Sequence, residues 1–312
     1  MDILVHESEQ VVQNLEYRKG GMTYVDIPEM ERIQRQAPAT PTIVPGGSAC
    51  NTAVGIAQLG GCARFIGKRG DDDMGEIFQQ SLEDRGVEPH LMTSSLPTGQ
   101  VLSLITPDAE RTMLTHLGAS ADIKPEEVSA DMFADSAIVH LEGYLLFDPE
   151  LMTATLAAAK SAGTRISLDL ASFTVVEQAK PILDDIVPAY VDILIANEDE
   201  AAAYTGFKDE LQALDRLAAS VETAVLKVGA RGSFVHAGDR VHRIPPLKSG
   251  PAVDTTGAGD LWAAGFLFGL VNGYAIETCG RLASACGFEV CQVIGADIPA
   301  EGWIRIKDIV EE

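Results

Sequence analysis

From residue 63 to 196 the chain repeats one pattern, a short β-rich run followed by a longer run with helical apolar spacing. That alternation restricts the fold to a mostly parallel central sheet with helices on both faces. Strand-like runs at 63–67, 137–141, 165–170 and 191–196 alternate with helix-like runs at 74–84, 149–162 and 175–187. Near 224–228, 232–236 and 240–244, strand-like runs follow one another without helices, which predicts an antiparallel edge. Two further β-patterned runs, 99–106 and 111–116, flank the turn Pro107-Asp108-Ala109-Glu110 and predict a hairpin. With an extended piece at 22–25 after Gly20-Gly21, the hairpin is expected to form a small separate sheet. Pro38, Pro41 and Pro45 break the chain before Gly46-Gly47, and Ser48 reads as the N-cap of a helix over 49–59. The chain closes with helices at 257–271 and 276–294, rich in alanine and glycine. The expected organisation is a core of 46–96 and 119–312 with a small discontinuous unit of 3–45 and 97–118.

Composition narrows the partners. The chain has 312 residues, 46% of them hydrophobic, enough for one large α/β domain with a small appendage. Its 46 acidic and 23 basic residues give a net charge of −23, whose field repels nucleic acid and anionic membranes alike. A phosphorylated ligand would need local positive charge or a metal. Cys50, Cys62, Cys279, Cys286 and Cys291 form no C-x-x-C pair, so neither a disulfide framework nor a zinc knuckle is expected. The amino terminus carries no basic, then apolar, leader pattern, and no apolar run spans about 18 residues. A cytoplasmic chain is expected.

The residues most suggestive of chemistry are Asp254-Thr255-Thr256-Gly257-Ala258-Gly259-Asp260, directly ahead of the apolar run 261–267. Small residues before a helix leave backbone N–H groups uncovered, and the helix dipole adds positive potential where they point. A carboxylate beside such an anion socket would repel a bound phosphate, unless Asp260 faces a hydroxyl about to attack phosphorus. The plainer alternative is a tight turn whose acidic residue complements the dipole.

In open α/β sheets, ligands gather at the carboxyl ends of the strands. Asn197 and Glu200 follow one strand-like run and share a helical face, a pair suited to a hydrated magnesium ion or simply to complementing a helix N-terminus. Gly229-Ala230-Arg231-Gly232 follows another and reads as a phosphate loop or an ordinary hairpin turn. Gly46-Gly47-Ser48-Ala49-Cys50-Asn51 reads as a sugar-binding loop or a helix cap. Asp169, at a strand end, reads as a structural carboxylate or as a residue touching the active cleft, Asp71-Asp72-Asp73 as a helix cap, and the six histidines as surface or core residues.

Together and in this order, these features resemble the ribokinase-like (PfkB-type) family of sugar and nucleoside kinases over nearly the whole chain. Asp254 to Asp260 resembles the family's carboxy-terminal signature, Gly67-Lys68-Arg69-Gly70-Asp71-Asp72-Asp73-Met74-Gly75 its amino-terminal one, and Asn197-x-x-Glu200 its magnesium and phosphate motif. The stretch Gly47-Ser48-Ala49-Cys50-Asn51-Thr52-Ala53, the strand at Glu110-Arg111-Thr112-Met113 and Leu141-Glu142-Gly143-Tyr144-Leu145 are most similar to the adenosine kinase branch. The resemblance implies ATP-dependent phosphorylation of the primary hydroxyl of a nucleoside or sugar. A ribokinase- or fructokinase-type sugar kinase, or a non-catalytic sugar or nucleotide sensor, are the alternatives.

Position by position, the resemblance implies Asp260 as the base, Gly257, Ala258 and Gly259 as the anion hole, and Arg111 as a residue that swings toward the phosphates. It implies Asp2, Gly47, Ser48 and Asn51 on the sugar, and Lys227, Gly229 and Gly232 on ATP. Asn197 and Glu200 would order magnesium through water, and Asp254 and Thr256 a monovalent cation, usually potassium. Gly46-Gly47 and the hairpin would act as hinge and lid, and the lid sheet serves as a homodimer contact in some members. Family members open with a full strand beginning ahead of the position matched by Asp2. Here Ile3-Leu4-Val5 reads only as a stub, so a start assigned too late, or a shortened chain, and a sheet lacking its first strand are expected.

Overall fold

The structure, a computed structural model, describes residues 1–15, 17, 19, 21–37, 39–108, 111–247 and 252–311. It divides into two compact units, 1–57 with 62–123, and 58–61 with 124–312. This division groups 46–57 and 62–96, expected in the core, with the segments expected to form a lid.

The first unit contains β1 (Asp2–His6), α1 (Glu9–Gln13), β2 (Met22–Tyr24), α2 (Ile27–Gln36), β3 (Thr42–Val44), α3 (Ser48–Gln58), β4 (Ala63–Gly70), α4 (Asp73–Asp84), β5 (Val87–Ser94), β6 (Gln100–Ile105) and β7 (Arg111–His116). Strands β2-β7-β6-β1-β3 form one five-stranded sheet. The expected stub is thereby corrected: β1 is an interior strand, parallel to β6 and antiparallel to β3. Its alternation explains why. Ile3 and Val5 point with Leu102, Leu104 and Leu114 into a core closed by Val12 of α1 and by Met30 and Ile33 of α2. Asp2 and Leu4 therefore share the opposite face with Ser103, Arg111 and Met113. The hairpin of β6 and β7 is as expected, with β2 pairing parallel to β7. Gly20, Pro38, Ala109 and Glu110, named above, lie outside the described residues.

Strands β4 and β5 form a separate parallel pair, packed through Phe65, Phe78, Leu82 and Val87 onto α3 and α4. The amino-terminal signature acts as a knot here. Asp72 caps α4, its Oδ1 accepting from Gly75 N at 2.8 Å and from Thr98 Oγ1 at 2.6 Å, while Oδ2 accepts from Thr98 N at 2.8 Å. Ser48 is the first residue of α3 rather than its cap, because Gly47 O already accepts from Asn51 N at 2.9 Å.

The second unit contains β8 (Ile138–Glu142), α5 (Pro149–Ser161), β9 (Arg165–Asp169), α6 (Phe173–Tyr190), β10 (Ile193–Asn197), α7 (Glu198–Thr205), α8 (Glu210–Ala218), β11 (Thr223–Lys227), β12 (Ser233–Ala237), β13 (Arg240–Ile244), α9 (Ala258–Val271), α10 (Ile276–Val290) and α11 (Ala300–Glu311). The sheet order is β13-β12-β11-β10-β9-β8, with β8 to β11 parallel and β12 and β13 antiparallel at the edge, as the alternation predicted. Ile193, Ile195, Val225 and Val235 pack against Trp262 and Phe266 of α9 and Ala283 of α10. The two helices approach so closely that a Cβ on Gly265 would lie 2.8 Å from Ala283 Cα. Among the described residues no helix is long and apolar enough to cross a membrane, and all five cysteines are free thiols.

Candidate active site

Four adjacent parallel strands of the second unit end on polar residues: Glu142 on β8, Asp169 on β9, Asn197 on β10 and Lys227 on β11. Register places Glu142 beside Asp169, and Asn197 beside Lys227. Lys227 Nζ donates to Asp169 Oδ2 at 2.6 Å. Burial works against the ammonium, but Asp169, Glu200 and Glu142 outweigh it and hold the Lys227 pKa above its ordinary value.

Asn197 and Glu200 do share a face, in the reciprocal form of a capping box at the start of α7. Glu200 N donates to Asn197 Oδ1 at 2.9 Å. In return Glu200 Oε2 accepts from Asn197 N at 2.7 Å and Oε1 from Asn197 Nδ2 at 2.6 Å. The carboxyl is buried, 2% exposed. Burial first, then the Asp169 charge, pushes its pKa up to about 7, with Lys227 pulling the other way. Asn197 thus spends its side chain orienting Glu200. Arg231 is bound by Glu198 and Glu210, so the cation expected to help a phosphate loop is already compensated. Gly232 uses both backbone groups inside its turn, with Gly232 N donating to Gly229 O and Gly232 O accepting from Val228 N.

Gly257 is the left-handed N-cap of α9, at φ 74°, a conformation that glycine adopts without strain. It aims the first-turn N–H groups of Ala258, Gly259 and Asp260 out of the helix end, although Ala258 N also donates to Thr255 O at 3.2 Å. Asp260 lies in that turn, half-buried. A Cβ on Gly259 would stand 3.3 Å from Lys227 Nζ, so the ammonium rests against the same turn. The loop leading into α9 is fixed by Asp254, whose Oδ1 accepts from Thr256 N and Oγ1 and whose Oδ2 accepts from Gly295 N. Tyr144, after β8, has an exposed ring and a hydroxyl 3.4 Å from Ala171 O.

The structure therefore gathers Asp260, Gly257, Ala258, Gly259, Asn197, Glu200 and Lys227 in one unit, and adds Asp169, Glu142 and Tyr144, which the sequence left as background or unplaced. The missed signal was the shared position of Glu142, Asp169, Asn197 and Lys227 at strand ends. Among the described residues no group of three or more His, Cys, Asp or Glu is arranged to hold a metal. A magnesium ion held through water at Glu200 needs no such cage.

In the first unit, Asp2 packs onto Gly46, where any Cβ would come within 2.3 Å of the carboxylate. Burial raises the Asp2 pKa, while the amino-terminal ammonium and Arg111 pull it back. Arg111 Nη2 donates to Ser103 Oγ at 3.3 Å on the same sheet face. Gly47 opens the turn into α3, which carries Ser48 and Asn51.

A parallel sheet with polar strand ends, beside a helix opened by Gly-Ala-Gly-Asp, defines a phosphotransferase of the ribokinase-like fold that uses an alcohol acceptor. The chain belongs to the pfkB family of carbohydrate kinases, matched over residues 22–302. Its structure is similar to that of an adenosine kinase from Sinorhizobium meliloti, with TM-score 0.86, 32% identity and 99% of this chain and 95% of that one covered. A fructokinase from Klebsiella pneumoniae is 32% identical over 78% of this chain and 84% of its own length. A ribokinase from Arabidopsis thaliana is 28% identical over 86% and 73%.

Proposed function

We propose that this sugar or nucleoside kinase moves the γ-phosphoryl of ATP onto the primary hydroxyl of a nucleoside, adenosine first among the candidates. The observation that carries the reading is Asp260 in the first turn of α9, next to Gly257 and with Lys227 against Gly259. The acceptor oxygen attacks the γ-phosphorus while its proton passes to Asp260. A new oxygen–phosphorus bond forms, the bond from the γ-phosphorus to the β,γ-bridging oxygen breaks, and its electron pair leaves on ADP. The N–H groups of Ala258 and Gly259, opened by Gly257, stabilise the charge on the transferred phosphoryl.

Glu200, buried and short of positive charge, fits a hydrated magnesium ion, with Asn197 setting its orientation. That ion, when bound, neutralises phosphate oxygens. Lys227 and the Gly229–Gly232 turn are assigned to ATP. Asp2, Gly47, Ser48 and Asn51 are assigned to the sugar, and Arg111 to the phosphates. Asp254 and Thr256 are assigned to a potassium ion next to the loop that they close. A partition into a core of 46–96 and 119–312 and a lid of 3–45 and 97–118 belongs to the same reading. A homodimer through the lid would use the open edges β2 or β3, since α1 and α2 cover one face of that sheet.

A sugar acceptor is the second reading, favoured by the fructokinase and ribokinase relatives. Phosphoryl transfer from ATP to adenosine, inosine, ribose and fructose separates the two. Asp260→Asn is expected to keep ATP binding and lose at least ~10²-fold in turnover. Transfer to none of the four acceptors, or unchanged turnover in the variant, would refute the reading.

A further inference from the structure

Asp169 has no part yet in phosphoryl transfer, although its environment is built with care. The residue is 6% exposed. Its Oδ2 accepts from Lys227, and its Oδ1 from Ala171 N at 3.0 Å. Ala171 sits at φ 63°, in the left-handed region that costs a non-glycine residue energy. The backbone of Gly143 packs so tightly on this loop that a Cβ there would lie 2.4 Å from Leu170 O. The carboxylate is thus fixed at both oxygens.

A buried ion pair adds little net stability, because desolvation offsets the attraction, so stability gives no reason to build one here. Its effect is on position. Lys227 leaves β11 and ends against the first turn of α9, at Gly259. Arg231, the nearby alternative, is held by Glu198 and Glu210. In a chain of charge −23, a cation held at that turn is what an anionic phosphoryl group in transfer requires.

We propose that Asp169 is a positioning residue: it pins the Lys227 ammonium against the N-terminal turn of α9, where Lys227 supplies fixed positive charge to the transferred phosphoryl. This rests on the kinase reading above. The test compares Lys227→Met, Asp169→Asn and the double variant by turnover, by KM for ATP and acceptor, by thermal midpoint, and by binding of a non-hydrolysable ATP analogue without metal.

Lys227→Met is expected to lose about 10²-fold or more in kcat and to bind the analogue about tenfold more weakly. Asp169→Asn should lose about 10- to 10²-fold in kcat through misplacement of the ammonium, with the acceptor KM unchanged. The double variant removes both charges of the Asp169–Lys227 pair, so neither is left without the other. It should regain the thermal midpoint lost by either single change, while its kcat stays at the Lys227→Met level. Turnover recovering together with the midpoint, or Asp169→Asn staying within twofold of the parent, would overturn the proposal. If the parent transfers phosphoryl to no acceptor, the kinase reading falls separately. Analogue binding then decides: weakening in both single variants supports the positioning role, and binding by Asp169→Asn equal to that of the parent overturns it.

Discussion

Glu200 carries its carboxyl into a buried site, with both oxygens already accepting from Asn197 and with Asp169 adding like charge. A cation brought near it relieves that cost, so its worth should appear in the metal response. Glu200→Gln is expected to raise the magnesium concentration needed for half-maximal turnover by about tenfold, with the fold retained, as neutralising a group that orients a metal usually does. A magnesium titration of initial rates checks this, and an unaltered midpoint would remove Glu200 from the metal site. Asp260 and Glu200 were legible as sequence because each stands in a spacing that makes chemical sense without a fold. Asp169 was not. A strand-end carboxylate has no meaning until the fold brings Lys227 of β11, two strands away, onto it, and that pairing joins residues 58 positions apart.

Secondary structure was most readable where burial on both faces leaves short uniform runs, as in β8 to β11. It was least readable between residues 27 and 44, where closely spaced prolines suggested only breaks while α2 and β3 form there. Pro28 is compatible with α2 because it lies in the first turn, where its missing N–H costs nothing. Strand β5, with Pro89 and exposed polar residues alternating along it, was missed for a similar reason, and α11 at the end of the chain was missed as well. The knot around Asp72 belongs to this scale, since one carboxylate joins α4 to the segment before β6. Burial alone would raise its pKa, but hydrogen bonds from Thr98 and Gly75 and the Arg69 charge hold it below the ordinary aspartate value. A lowered pKa means that the ionised form stabilises the fold above the unfolded-state value, and that this contribution disappears as pH falls through the folded-state value. Asp72→Asn is therefore expected to cost about 1 kcal/mol at neutral pH, the usual gap between charged and neutral hydrogen bonds. The difference should close at pH values below that of a free aspartate. Denaturant midpoints of the two proteins across pH 3–7 measure it, and a constant gap would contradict the ionised role.

At the scale of the whole molecule, an excess of 23 negative charges makes the folded chain repel itself. Screening should raise the thermal midpoint between about 0.01 and 0.15 M salt, as the Debye length shrinks from about 30 to 8 Å. Choline chloride should produce this rise through screening alone. Potassium chloride should add to it if the loop at Asp254 and Thr256 holds a monovalent ion. Identical midpoints in the two salts would leave that loop without a bound cation. The close seam between α9 and α10 has its own consequence. With Gly265 against Ala283, the helix that carries Asp260 has no slack behind it. A survey of inactivating substitutions would flag that distant glycine as though it touched the reactants, and a map drawn from lost function alone would place the reaction centre too deep in the protein.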